Sequence, residues 1–460
     1  MRLKRPDAPR KETPTKTMTR NRRRKRNTHD FGRQHPENTA SLVVPPLFLL
    51  TAQLGWLASL FLLTRHPSAL LREQWSQGFL LAVVHLFTLG FLTMTMMGIL
   101  HQLVPVTLNT KPWSTRIVIV HYGLMVTGTI LFSAGFVNEQ PLFIMVGAIA
   151  ISLAILYFVA LILYALRHAQ GHPFHGPFIL SSMGYLALTV VLGVTLAWNY
   201  AYGLGLASSF IVAHIAVAAG GFAAFLLMGL SYKLSVMFFP SKSAPRHGTW
   251  VFYLLHAAVL TEFLAGFTGW HLVTAGIAIF TTASGLYLWD MIDIWLMRRN
   301  SYPDPVLFTI GLGTLSFAAA WILLGLWALS PSNSHLASAA IFMFFEGWFG
   351  LSILGYSQKI LPFVLWLHRY SHVHGQGKVP RLNEIFPEDW SWQIMMLSAA
   401  GLVLSCGGLI LSSVSMFRTG LITLSLGVAR MHFASWRALL RHPVHQDNPK
   451  RDFRTRIRNW

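Results

Sequence analysis

Long apolar runs alternate with short polar ones along most of the chain. Runs of at least 20 residues occupy 42–63, 77–105, 115–136, 141–166, 177–198, 205–236, 249–268, 270–297, 306–329, 335–366, 391–413 and 415–436. About 20 residues is what a helix needs to cross the hydrocarbon core of a bilayer. The pattern predicts an all-α, polytopic membrane protein of about twelve transmembrane helices. Two separations rest on the weakest punctuation: the turn Thr268-Gly269-Trp270 and a split near Met416–Arg418. The expected organisation is a disordered basic tail over 1–40, a membrane domain over 41–436 and a second basic tail over 437–460.

Composition agrees. Only 11% of the 460 residues are charged, against about 25% in soluble domains. The net charge of +20 is concentrated at the N-terminus, where residues 1–40 hold 13 Lys/Arg against 4 Asp/Glu. No aromatic residue interrupts Arg22-Arg23-Arg24-Lys25-Arg26, so this run is read as a topology signal that touches anionic lipid, and nucleic acid is not expected. The basic region is too long for a secretory signal, and no small-residue cleavage site follows the first apolar run. With the N-terminus inside, Lys111, Arg116, Arg167, Lys242, Arg246, Arg298, Arg299, Arg369, Lys378 and Arg381 fall in cytoplasmic loops. This predicts a multi-pass protein of the inner membrane with both termini cytoplasmic. Cys406 is the only cysteine, which excludes intrachain disulfides and cysteine-based metal clusters.

One motif recurs. Gly90-Phe91, Gly98, Gln102 and Pro105 in span 2 return as Gly221-Phe222, Gly229, Lys233 and Val236 in span 6, and as Gly347-Trp348, Gly355, Lys359 and Pro362 in span 10. The recurrence divides twelve spans into three pseudo-threefold sets of four. Glycines let helices approach closely in lipid; they would also leave room for a flat cofactor. The polar residue and the proline are expected to mark the helix end, where a side chain snorkels and the helix stops.

Ionisable residues within spans are costly and are the first candidates for function. At 1.5 Å per residue, His85, His214, Glu262 and Glu346 lie roughly 10–17 Å below the outer ends of their spans. His121 and His256 lie deeper. His85 and His121 of the first set match His214 and His256 of the second; the third set has no histidine at either place. A single intramembrane histidine is as well explained by a structural hydrogen bond. Four at matching places favour a cofactor site, since neutral imidazole ligates metals and haem. His101, roughly 24 Å along the helix from His85, is expected at the interface and outside that ligand set. The inner-loop histidines His168, His172, His175, His368, His372 and His374 read as a solvated basic loop, with metal binding as the alternative. Met94, Met96 and Met97 could suggest copper, but they do not share a face, so core packing is the expectation. Asp290 and Asp293 are expected either to pair with Arg298 or Arg299 or to line a proton entry.

Twelve helices in three sets of four, with histidines in spans 2, 6 and 7, resemble the catalytic subunit I of haem–copper oxidases and nitric oxide reductases. The segments His85…Gly98-x-x-x-Gln102-x-x-Pro105 and Gly355–Tyr370 are similar to a divergent branch of that superfamily, and the resemblance covers about residues 42–436. It implies that His85 ligates haem, and that His214 and His256, with His121 as a further candidate, hold copper or a non-haem iron. The departures are equally specific. The family's span 10 carries His-x-His, and here Ala339–Glu346 contains none. Adjacent histidines in span 7 are replaced by His256-Ala257, and Ala218 stands where oxidases often place Tyr. The resemblance therefore implies a haem-binding, oxidoreductase-like membrane protein with an incomplete binuclear centre. Met343 would be a substitute haem ligand, and Glu262 and Glu346 candidate proton carriers. The implied partners are a cytochrome c or cupredoxin electron donor, or a small partner subunit. The alternative is a non-catalytic transporter or accessory protein in metal handling or NO response on the same scaffold.

Overall fold

The computed structural model describes residues 40–169, 171, 173–268, 272–330, 332–371 and 379–441. Most of both basic tails, the loop residues His172, His372, His374 and Lys378, and the turn residues Gly269 and Trp270 lie outside the described residues.

The described chain is helical without strands. Eleven helices are long and apolar enough to cross a membrane: α1 Val44–Arg65, α2 Gly78–Leu108, α3 Thr115–Val137, α4 Pro141–Arg167, α5 Gly176–Tyr202, α6 Ser209–Phe238, α7 Gly248–Thr268, α8 Val273–Leu296, α9 Pro305–Leu329, α10 Ser334–Tyr370 and α11 Glu388–Ile410. The twelfth, α12 Val414–Leu440, has 27 residues, but Arg418, Arg430 and Arg437 make it less apolar than the others. It still takes its expected place, packed along α11 and α1. The chain is thus a multi-pass, all-α membrane protein. Outward-facing side chains such as Leu142, Leu315, Ile322 and Trp289 stay exposed, as suits a surface that lipid covers.

Helix ends follow local chemistry. Pro45, Pro141, Pro177 and Pro305 stand in the first turn of α1, α4, α5 and α9, where a missing N–H costs nothing. Asp304 caps α9 by accepting from the Val306 N–H at 2.9 Å. Two boundaries differ from expectation. The turn between α11 and α12 falls at 411–413, ahead of Met416–Arg418, because Ser412 takes a left-handed conformation (φ 55°) there. The last basic segment is no separate tail at its start, since α12 runs on to Leu440.

The three copies of the repeat are structurally alike in a way that no sequence period announced. Each of α2, α6 and α10 opens into a wider π-helical turn, over Leu86–Thr93, Ala216–Ala224 and Met343–Leu351, and each π turn contains the first glycine and its aromatic neighbour. These three helices form the inner layer. Their central windows are 61%, 61% and 67% buried, against 33–50% for the other eight apolar spans.

Glycine packing holds each set together. A Cβ on Gly98 would stand 2.5 Å from Phe48 Cβ of α1, and one on Gly355 2.5 Å from Ile310 of α9; Gly229 meets Phe178 of α5 in the same manner. The first glycines receive Gly55, Tyr185 and Ser316 of those same helices. The space that glycine leaves is therefore filled by protein, which settles the choice between close packing and a slot for a flat cofactor at these positions. The helices also do not stop where expected. Pro105 and Pro362 lie inside α2 and α10, which continue to Leu108 and Tyr370. Gln102 is buried with its amide unpaired, and Lys359 reaches out to bond Asp304, the residue that caps α9, at 2.7 Å.

Sets join through buried polar contacts. Gln53 of α1 donates to Ser435 of α12 at 3.2 Å. Ser235 of α6 and Tyr356 of α10 share a hydrogen bond at 2.7 Å.

Candidate functional site

His85 is the last residue before the π turn of α2. Its Nδ1 lies 2.7 Å from the Leu81 carbonyl. A carbonyl only accepts, so Nδ1 carries the proton and Nε2 keeps its lone pair. Phe136 stacks on the ring (centroids 5.6 Å, 21° between planes) and Phe132 meets it edge-on at 5.1 Å. The second-set counterpart, His214, stands two residues before the π turn of α6. It is half-buried, its Nδ1 has no hydrogen-bond partner, and its Cε1 would lie 3.2 Å from a Cβ on Gly193 of α5. Each stands at the start of the π turn of its own helix, at corresponding places in sets one and two.

The deeper histidines part company. His256 is held by two hydroxyls, Ser181 at 3.0 Å from Nε2 and Tyr185 at 2.7 Å from Nδ1. Both of its ring nitrogens are thus engaged. His121 turns instead toward His101 inside the first set, with ring centroids 5.4 Å apart. Among the described residues, no three His, Cys, Asp or Glu side chains stand close enough together to hold a metal ion. The ligand group of His121, His214 and His256 is accordingly not assembled. His101 differs from expectation as well: it is fully buried, because Trp113 from the α2–α3 loop lies over it at 5.3 Å.

Glu346 lies in the π turn of α10 and is buried. Its Oε2 accepts from Trp56 Nε1 of α1 at 2.6 Å. Trp56 in turn stacks on Phe91 at 4.4 Å, and Phe317 stacks on Trp348 in the third set at 3.8 Å. Met343 opens the same π turn as Glu346, half-buried against the core. Glu262 of α7 is half-buried, with its side chain against Gly276 of α8. These carboxyls do not join His85 and His214 in one ligand group.

The partners of the two aspartates of α8 come from α6 and the α6–α7 loop and not from Arg298 or Arg299. Asp290 accepts from the backbone N–H groups of Arg246 and His247, from His247 Nδ1 at 2.9 Å, and from the Tyr232 hydroxyl at 3.1 Å. Asp293 accepts from Ser243 and lies 3.8 Å from Arg246. Of the described inner-loop histidines, His368 and His175 are held within the fold, whereas His168 is exposed as a solvated loop would have it. His368 lies 2.6 Å from the Ala40 carbonyl through Nε2 and 2.9 Å from that of Val364 through Nδ1. His175 is buried beside α5; burial first, and then the Lys233 charge, push its pKa down to about 4. His168 stays exposed, bonded to the Tyr164 carbonyl.

Sequence reasoning missed Trp56, Ser181 and Tyr185, because their partners come from other spans. It also misplaced His101, although a signal was present. His101, Tyr232 and Gln358 each stand eleven residues after the first glycine of their repeat, and all three are buried. No protein-family model matches this chain, and no curated protein is significantly similar to it.

As a haem ligand, His85 fits: its fixed tautomer leaves Nε2 free to bind iron. For a three-ligand copper or iron centre, the described side chains do not fit.

Proposed function

We propose that this chain is a redox-type membrane protein on the haem–copper oxidase subunit I scaffold, binding haem through His85 without a complete binuclear centre. The observation that carries this reading is the environment of His85, with Nδ1–H committed to the Leu81 carbonyl, Nε2 unbonded, and Phe132 and Phe136 packed on the ring. Bound haem supplies a reversible one-electron change at iron. The chain's own residues orient it: Phe132 and Phe136 fix the imidazole plane, and the π turn sets where the ring leaves the helix. Glu346 and Glu262 are the carboxyls on which a proton would be held, Glu346 with one oxygen committed to Trp56. Met343 is the nearest substitute in span 10 for the family's missing histidines. The electron donor would be a cytochrome c or cupredoxin. A membrane with the N-terminus on its cytoplasmic side suits the basic loops.

The test is the reduced-minus-oxidised spectrum and cofactor content of the purified protein. We expect a haem band that His85→Ala abolishes. Purified protein with no haem band sinks the reading.

The absence of a three-ligand group among the described residues favours a second reading. On it the protein is a non-catalytic transporter or accessory protein in metal handling or NO response. Altered metal uptake in a deletion strain, with a normal spectrum lacking haem, would select it.

A further inference from the structure

The centre of the first helix set contains a pair of imidazoles, apart from His85 and His214. His101 of α2 and His121 of α3 are both 0% exposed. Phe48 of α1 and Phe158 of α4 each stack on His121, at 5.8 and 5.6 Å, and both also lie within 5.5 Å of His101. None of the four ring nitrogens has a hydrogen-bond partner. A buried polar group left without a partner is costly, and such a cluster calls for an occupant. The second set shows the contrast. There the equivalent residue is Tyr232, and its hydroxyl is satisfied by Asp290. In set one, no such bond reaches His101 or His121.

The spacing suits one ion between the rings. With metal–nitrogen bonds of about 2.0 Å, two imidazoles on one ion hold their centroids roughly 5 Å apart at a tetrahedral angle and roughly 6 Å apart when linear. The observed separation is 5.4 Å. The neighbouring donors are soft. Met97 stands one turn before His101 and Met125 one turn after His121, so in two antiparallel helices both thioethers fall on the same side of the imidazole pair. Both methionines are 0% exposed. Two imidazoles among aromatic faces, with two buried thioethers one helical turn away, disfavour hard, strongly hydrated cations and suit a monovalent soft one. Ligation settles one nitrogen of each ring, and the remaining N–H groups stay among aromatic faces.

We infer that His101 and His121, with the thioethers of Met97 and Met125, form a binding site for a Cu(I) ion inside the first helix set. The site uses none of the residues assigned to haem and stands or falls separately from it.

The full-length protein, purified in detergent, is titrated anaerobically with Cu(I) against a chromophoric Cu(I) chelator, and the loaded form is measured by X-ray absorption. The expected result is one Cu(I) per chain with both nitrogen and sulfur neighbours. His101→Phe/His121→Phe should lose the ion. Met97→Leu/Met125→Leu should weaken binding at least tenfold and remove the sulfur signal. His85→Ala/His214→Ala should still bind one ion. The site is overturned if the wild type leaves copper on the chelator, or if it takes Zn(II) in preference. It is equally overturned if a monodisperse His101→Phe/His121→Phe protein still binds one equivalent. A coordination sphere without sulfur overturns the donor set. Should the double histidine variant not fold, the methionine pair carries the test alone.

Discussion

Trp56 and Glu346 are 290 residues apart in sequence and 2.6 Å apart through Nε1 and Oε2. The indole of the first span thereby reaches the π turn of the tenth and ties set one to set three. Gly350 leaves space for this reach, since a Cβ there would lie 2.8 Å from the indole ring. Two buried polar groups satisfy each other at once, so removing one leaves the other unpaired.

Trp56→Phe should therefore destabilise the protein by about 1–3 kcal/mol, because the carboxyl loses its donor. Glu346→Gln keeps an acceptor oxygen and should cost less than half as much. Thermal unfolding in detergent measures both. Equal midpoints for wild type and Trp56→Phe would remove this contact as a link between the sets.

Gly98 and Gly123 give a matched pair. Gly98→Ala places its methyl 2.5 Å from Phe48 Cβ, whereas Gly123→Ala meets nothing within 4 Å. Overpacking costs about 1–3 kcal/mol, and Ala favours a helix over Gly by up to about 1 kcal/mol. Gly98→Ala should lower the unfolding midpoint and Gly123→Ala should hold or raise it. The opposite order would mean that the second glycine of the repeat is not a packing site.

His256 should behave as a structural residue. His256→Ala strands the hydroxyls of Ser181 and Tyr185, with an expected loss of about 1–3 kcal/mol. Metal and haem content per chain, measured by elemental analysis and by pyridine haemochrome, should match the wild type. A variant that folds but loses bound metal would return His256 to the ligand set.

His175 predicts a pH dependence with a definite sign. Its folded pKa is about 4, below the ordinary 6.5, through burial first and the Lys233 charge second. Between those values the unfolded chain takes up a proton that the folded chain refuses. The contribution of His175 to stability is thus full above about pH 6.5 and declines as pH falls toward 4, by on the order of 3 kcal/mol at most. His175→Gln should flatten the fall in unfolding midpoint between pH 7 and 4.5. An unchanged slope would show that His175 is protonated in the fold.

The resemblance of the three helix sets was readable from glycines eight residues apart, because close helix contact in lipid restricts those positions to the smallest residue. The occupants of the resulting grooves were not readable. Phe48, Phe178 and Ile310 are ordinary apolar residues of other helices, and nothing in their own neighbourhood marks them. For the same reason the histidines divided differently from their positions in the repeat. His121 and His256 occupy matching spans, yet one faces another imidazole and the other faces two hydroxyls, since neighbouring helices supply Phe158 in one case and Tyr185 in the other.

The sequence by itself determined the membrane class, the course of the spans and the threefold plan. These follow from apolar run length and small-residue spacing, which are local properties that lipid enforces directly. Only the tertiary structure decided which polar groups meet. It paired His101 with His121, His256 with Tyr185 and Trp56 with Glu346, and it opened a π turn in each inner helix. A buried side chain's partner depends on helix rotation and on side chains hundreds of residues away, and no local pattern encodes either.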